Sequence, residues 1–191
     1  MVVGLTGGIG SGKSTIARQL RMMGYMVYDS DSQAKRIIVE DLSVRKQLIQ
    51  LFGEEVFIDG VYQTNIVAQQ VFADKCLLEK LNAIVHPAVR ADIEKQKASM
   101  GVGELLFVEC AILYSSGIHA LCDKVVLVTA PEEIRLQRTI QRDHSTIDKV
   151  RARMRAQECE WQHQQVDVVL HNDGSRPINE LCNQLLLDLQ H

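Results

Sequence analysis

The chain has 191 residues, 46% of them hydrophobic and 24% charged, with a net charge of −3. That balance is globular, and the length suits one domain with an insertion better than two full domains. An acidic surplus with only 5% aromatics argues against a surface built for nucleic acid. No apolar run reaches membrane-spanning length. The five cysteines are scattered without a C-x-x-C pair, which reads as reduced thiols in a cytoplasmic protein. The sequence opens directly on a strand pattern, so no signal peptide is expected.

Met1 to Thr6 is a short apolar run that predicts a buried strand. Ser14 to Leu20 opens a helix with apolar residues at Ile16, Ala17 and Leu20. Between them Gly7-Gly8-Ile9-Gly10-Ser11-Gly12-Lys13-Ser14 reads G-x-x-x-x-G-K-[ST], in the strand–loop–helix setting which that motif requires. Glycines let the backbone curl until several N–H groups face one anion, and the helix N-terminus adds its positive dipole end. Gly8, Ile9, Gly10, Ser11, Gly12, Lys13, Ser14 and Thr15 are therefore expected to cradle the phosphates of a nucleotide. Lys13 would reach the β- and γ-phosphates, and the Ser14 hydroxyl would ligate Mg²⁺.

Further along, Gly24 closes the first helix and Tyr25 to Tyr28 predicts a second strand, ending at Asp29-Ser30-Asp31. Residues 32 to 52 read as one helix on Ile37, Ile38, Leu42, Val44, Leu48, Ile49 and Leu51, with Gly53 and Asp59-Gly60 as breaks. A further helix spans Asn65 to about Leu81. His86-Pro87 is expected to punctuate it, and a charged helix then runs to about Met100. The block from 32 to 100 thus reads as a helical insertion with little strand. Leu105 to Val108, ending at Glu109, predicts a third strand, Lys124 to Thr129 a fourth and Val166 to Leu170 a fifth. Pro131, Glu132 and Glu133 start a helix, and Pro177 to Leu189 closes the chain. Strands alternating with helices predict an α/β fold with a five-stranded parallel sheet.

Asp29 and Asp31 stand at the carboxyl end of the second strand, the edge where open parallel sheets bind ligands. One carboxylate there could take the proton of an attacking hydroxyl while the other orients a neighbour, or the pair could simply cap a helix. Arg135, Arg138 and Arg142 share one helical face, and Ser145-Thr146-Ile147-Asp148 has the form of a capping box that starts a new helix. Helix, break, helix suggests a lid at about 136–163. Arg138 and Arg142, nearest the break, are the candidates for contact with transferring phosphates, and the other basic residues read as a solvated face. Glu109 is either a Walker-B-type acid or a satisfied strand-end carboxylate. His86 either ends a helix or touches a substrate. Asn172-Asp173-Gly174 is a turn that could border an adenine pocket.

Together these segments resemble the dephospho-CoA kinase family. The resemblance runs over almost the whole chain: Leu5 to Thr15, Asp29 to Ala34, Leu81-Asn82-Ala83-Ile84-Val85-His86-Pro87, Gln137 to Asp143, Arg153 to Gln157, and Asn172 to Gly174. The phosphate loop alone is shared with many NTPases, and the L-N-x-x-x-H-P and lid segments narrow it. The resemblance implies a P-loop NTPase fold in three α/β/α layers, with a core of 1–31, 101–135 and 164–191 and an acceptor-binding region at 32–100. It implies transfer of the ATP γ-phosphoryl to the ribose 3′-hydroxyl of dephospho-CoA, with Asp31 as general base and Asp29 in support. Arg138 and Arg142 would clamp phosphates, His86 would lie on the acceptor side and Asn172 near the adenine. No membrane or nucleic-acid partner is expected, and the chain would be a monomer or weak homo-oligomer.

Two segments depart from the family pattern: Val108 to Tyr114, where a V-P-L-L-like stretch is usual, and Cys159, where proline often stands. A kinase for another small acceptor is the nearest alternative, since the architecture hosts many. A GTPase switch would need D-x-x-G and N-K-x-D elements, and neither is present.

Overall fold

The structure is a computed structural model, and it describes residues 1–158, 160–162 and 164–190. Strand β1 (Val2–Thr6) is buried at every position. Apolar residues on both of its faces suit it to a central place in a parallel sheet, where both faces are covered. It pairs with β5 (Leu106–Glu109) on one side and β6 (Lys124–Thr129) on the other. β2 (Met26–Asp29) adds beyond β5, and β7 (Val168–His171) beyond β6. The order is β2-β5-β1-β6-β7, parallel throughout. From β1 the chain runs to β2 at one edge, returns to β5, and then crosses to β6 and β7 on the other side of β1. The order thus reverses beside β1, and the carboxyl end of that strand is the expected ligand edge.

Alternate strand residues fill one face. Val3, Leu5, Phe107, Val126, Val128 and Leu170 pack against Ile16, Ala17 and Leu20 of α1 (Lys13–Met22) and Leu181, Cys182, Leu185 and Leu189 from the closing helix. Each buried Val, Leu, Ile or Phe among them contributes on the order of 1.5–3 kcal/mol. On the other face Gly4 admits Leu113 and Cys122, whose nearest atoms would lie 2.9 Å from an added Cβ.

The chain forms two compact units, Met1–Asp29 with everything from Met100 onward, and Ser30–Ser99. The second unit holds α2 (Ser30–Glu40), α3 (Leu42–Phe52), α4 (Thr64–Ala73) and α5 (Lys75–Ala98), with α2, α3 and α4 each packed on α5. Its sequence-based outline needs correction. The single helix expected over 32–52 is broken at Asp41, whose carboxylate accepts from the N–H groups of Ser43 and Val44 at 2.8 and 3.1 Å and so caps α3.

Asp59 and Gly60, both at positive φ, close a hairpin of β3 (Phe57–Ile58) and β4 (Val61–Tyr62) that the sequence did not suggest. His86-Pro87 does not punctuate a helix. Pro87 lies inside α5, which continues because Val85, Val89 and Ile93 carry one buried stripe through it. The break falls instead at Asp74, which caps α5 through the Cys76 N–H at 2.8 Å. The second and fifth sheet strands sit one or two residues later than expected.

In the first unit, α6 (Glu132–Asp143) ends at His144 in a left-handed conformation. Helix α7 (Ile147–Glu158) follows, and α8 (Ile178–Asp188) closes the fold.

Candidate active site

The loop from Gly7 to Gly12 joins the end of β1 to α1. Gly10 and Gly12 take φ values of +78° and +89°. A Cβ on Gly10 would overlap the Arg135 carbonyl oxygen, and one on Gly12 would overlap Asn172 Nδ2. Glycine is thus demanded here both by the turn and by close neighbours from α6 and the β7 turn. Helix α1 starts at Lys13, so its first-turn N–H groups and dipole end face the concave side of the loop.

Ser14 donates its hydroxyl to Glu109 Oε1 at 2.6 Å. Glu109 ends β5 and is buried, in register with Leu5 on one side and Asp29 on the other. In-register residues of parallel neighbours point to the same face, so Asp29 and Glu109 place two carboxylates side by side at the ligand edge. A hydroxyl and a buried carboxylate are hard oxygen donors of the kind Mg²⁺ takes beside nucleotide phosphates.

Asn172 fastens the loop to its surroundings. Its Nδ2 donates to the Ser11 carbonyl at 2.9 Å, its N–H to Thr129 O at 2.8 Å, and its own carbonyl accepts from Arg138 Nη1 at 2.9 Å. Thr6 Oγ1, Ser11 Oγ and Asn172 Oδ1 are buried without a hydrogen-bond partner among the described residues. Buried polar atoms are usually satisfied, so three unpaired ones around one loop mark a place built for a polar ligand or ordered water.

The lid helices meet the same loop. Arg135 Nε donates to Ile9 O at 3.2 Å, and the Ile9 N–H donates to Gln157 Oε1 at 2.8 Å. The Ile9 side chain packs with Leu136, Ile140, Val150 and Met154. Arg142 behaves differently from Arg138. It holds Asp143 through two bonds of 2.7 and 3.1 Å, and Arg153 holds the same carboxylate at 2.8 Å. Hydrogen bonds from Arg142 and then Arg153 keep the Asp143 carboxyl well below the usual carboxylate range, and the same pairing raises Arg142.

The divergent segment after β5 reaches the stretch beyond α7. Tyr114 donates its hydroxyl to Gln165 O at 2.5 Å, and Ser115 bonds Glu160 through both its hydroxyl and its N–H. Burial, with Asp167 and Cys122 adding to it, pushes the Tyr114 phenol up.

The first unit therefore brings together the residues of the loop, Asp29, Glu109, Arg138 and Asn172, and leaves Arg142 in an ion cluster at the end of α6. Asp31 is exposed in the first turn of α2, and His86 is half-buried in α5, both in the second unit. Cys159 lies outside the described residues. Sequence reasoning missed Arg135 and Gln157 as loop contacts. Arg135 sits one turn before Arg138 on the same face, so its signal was present. Gln157 closes the Arg153 to Gln157 segment of the family resemblance, but its spacing gave no sign of a partner 148 residues away.

The family model described as Dephospho-CoA kinase matches residues 1–177. A dephospho-CoA kinase from Porphyromonas gingivalis is 41% identical over 160 residues, covering 84% of this chain and 79% of its own. The crystal structure of TT1252 from Thermus thermophilus is 33% identical with a TM-score of 0.84, over 100% of this chain and 98% of its own. A dephospho-CoA kinase structure from Campylobacter jejuni, at 23% identity, shares the fold with a TM-score of 0.71 over 98% of this chain and 96% of that one. The chain belongs to the dephospho-CoA kinase family of P-loop kinases, which catalyse the last step of coenzyme A biosynthesis.

Proposed function

We propose that, in the phosphorylation of the dephospho-CoA ribose 3′-hydroxyl by ATP, Gly8 to Thr15 hold the nucleotide phosphates. The observation that carries this is the loop itself, with Gly10 and Gly12 in left-handed geometry and Ser14 bonded to a buried carboxylate. Lys13 reaches the β- and γ-phosphates, and Ser14 and Glu109 would hold Mg²⁺, which would supply neutralisation of phosphate charge.

Arg138 extends from α6 towards the loop side of the site and joins Arg135 in offsetting phosphate charge. Arg142, within the lid at residues 136–163, joins them only by giving up Asp143. The nucleotide base lies beside the β7 turn that Asn172 opens. The unpaired Asn172 Oδ1 supports a role on this side of the nucleotide.

Residues 32–100 hold the acceptor, with His86 on its side of the site. Asp31 receives the proton of the 3′-hydroxyl as that oxygen attacks in line, and Asp29 orients the reacting groups from the end of β2. General bases contribute about 10²–10⁴-fold. An Asp31→Asn variant should therefore lose about that much kcat while binding ATP as the parent does. Turnover within threefold of the parent would remove Asp31 from this role. Among the described residues no helix is long and apolar enough to cross a membrane. We place the enzyme in the cytoplasm as a monomer or weak homo-oligomer.

A further inference from the structure

The phosphate loop carries a contact that neither substrate accounts for. Ile9 is 8% exposed, and its side chain is seated among Leu136 and Ile140 of α6 and Val150 and Met154 of α7. Its backbone is held on both sides by the same two helices, the carbonyl by Arg135 at 3.2 Å and the N–H by Gln157 at 2.8 Å. A buried apolar contact gives affinity without direction, whereas a hydrogen bond to the backbone fixes distance and angle. Gln157 is the one polar side chain of α7 seen on the loop backbone among the described residues, and it lies in the last turn of that helix.

The chain's single tryptophan lies at the same place. Trp161 Cη2 would come within 2.9 Å of a Cβ on Gly8, so the ring rests against the loop.

We propose that Gln157 is a positioning residue for phosphoryl transfer, which locks α7 onto the phosphate loop through the Ile9 N–H and touches neither substrate. The apolar seat brings the lid down, and Gln157 sets where it stops. The guanidinium groups of α6 then stand at a fixed height over the loop, and water is kept from the reacting phosphate. Misplacement of about 1 Å costs up to about 100-fold in rate. The inference rests on residues 8–15 holding ATP, and direct ATP binding to the parent protein tests that reading separately.

The test compares Gln157→Met, which keeps length and removes the accepting oxygen, with Gln157→Glu, which keeps an oxygen at the same reach. For Gln157→Met, kcat should fall about tenfold with the ATP KM within twofold. ADP formation without acceptor should rise, and Trp161 emission of the nucleotide-free protein should shift to longer wavelength as the ring leaves the loop. Gln157→Glu should restore kcat to within threefold of the parent. Should Gln157→Met fail to fold, Gln157→Asn withdraws the same amide by one methylene and is expected to give the same losses. Parent-like kcat and emission in Gln157→Met would overturn the proposal. So would a Gln157→Glu protein as impaired as Gln157→Met, because the accepting oxygen would then not be what matters.

Discussion

Ser14 and Glu109 are 95 residues apart in sequence and 2.6 Å apart in space, the hydroxyl donating to Oε1. The bond ties the first turn of α1 to the end of β5 and gives the buried carboxylate a partner that also faces the phosphate loop. Loss of groups that orient a metal ligand typically costs 10–100-fold in affinity or activity. Glu109→Ala should therefore lower turnover about 10–100-fold and move the Mg²⁺ dependence to higher concentration. A Mg²⁺ titration of the steady-state rate reads both, and an unchanged titration would mean that Glu109 only caps the strand.

Asn172 supports the loop from the other side. Truncation to alanine leaves the Ser11 carbonyl without its bond and opens space beside Gly12. Leaving a buried polar group unsatisfied costs about 1–3 kcal/mol. Asn172→Ala should lose about that much stability in chemical denaturation and raise the ATP KM. Parent-like values of both would place the support elsewhere.

Much of this was legible in the sequence. The phosphate loop announced itself in eight letters, and the runs before Glu109 and up to Thr129 marked central strands. The insertion was harder. Its apolar pattern runs on past Asp41, so only the capping bonds of that residue reveal the break. Two-residue strands such as Phe57–Ile58 are too short to alternate visibly, and Pro87 suggested a stop that the buried stripe of α5 overrides. Contacts that join distant segments, Ser14 with Glu109 and Ile9 with Gln157, leave no trace in local spacing.

The ion cluster at the lid break has a definite pH behaviour. Arg142 and Arg153 lower the Asp143 pKa, so whatever stability this cluster contributes is present above the unfolded value and disappears as pH falls through the folded one. The Asp143 carboxyl should titrate below the ordinary aspartate value of about 3.9. A carbon-detected NMR titration of the carboxyl reads it. A midpoint at or above 3.9 would show that the cluster does not hold in solution.

Cysteine reactivity separates by burial. Cys182 is buried in the core behind α1, and burial pushes its thiol up to about 11. Cys76 is exposed. At pH 8, iodoacetamide should modify Cys76 well before Cys182, as followed by peptide mass spectrometry. Equal rates would mean that the α8 core opens readily.

The central claim is that this site phosphorylates dephospho-CoA, and a coupled ADP-release assay with ATP and Mg²⁺ tests it most directly. Dephospho-CoA would be compared with adenosine, AMP, CMP and shikimate, and the product identified by phosphorus NMR. The account predicts turnover with dephospho-CoA alone, yielding the 3′-phosphate. Turnover with another acceptor and none with dephospho-CoA would contradict it, and would point to the divergent Val108 to Tyr114 segment as having changed the substrate.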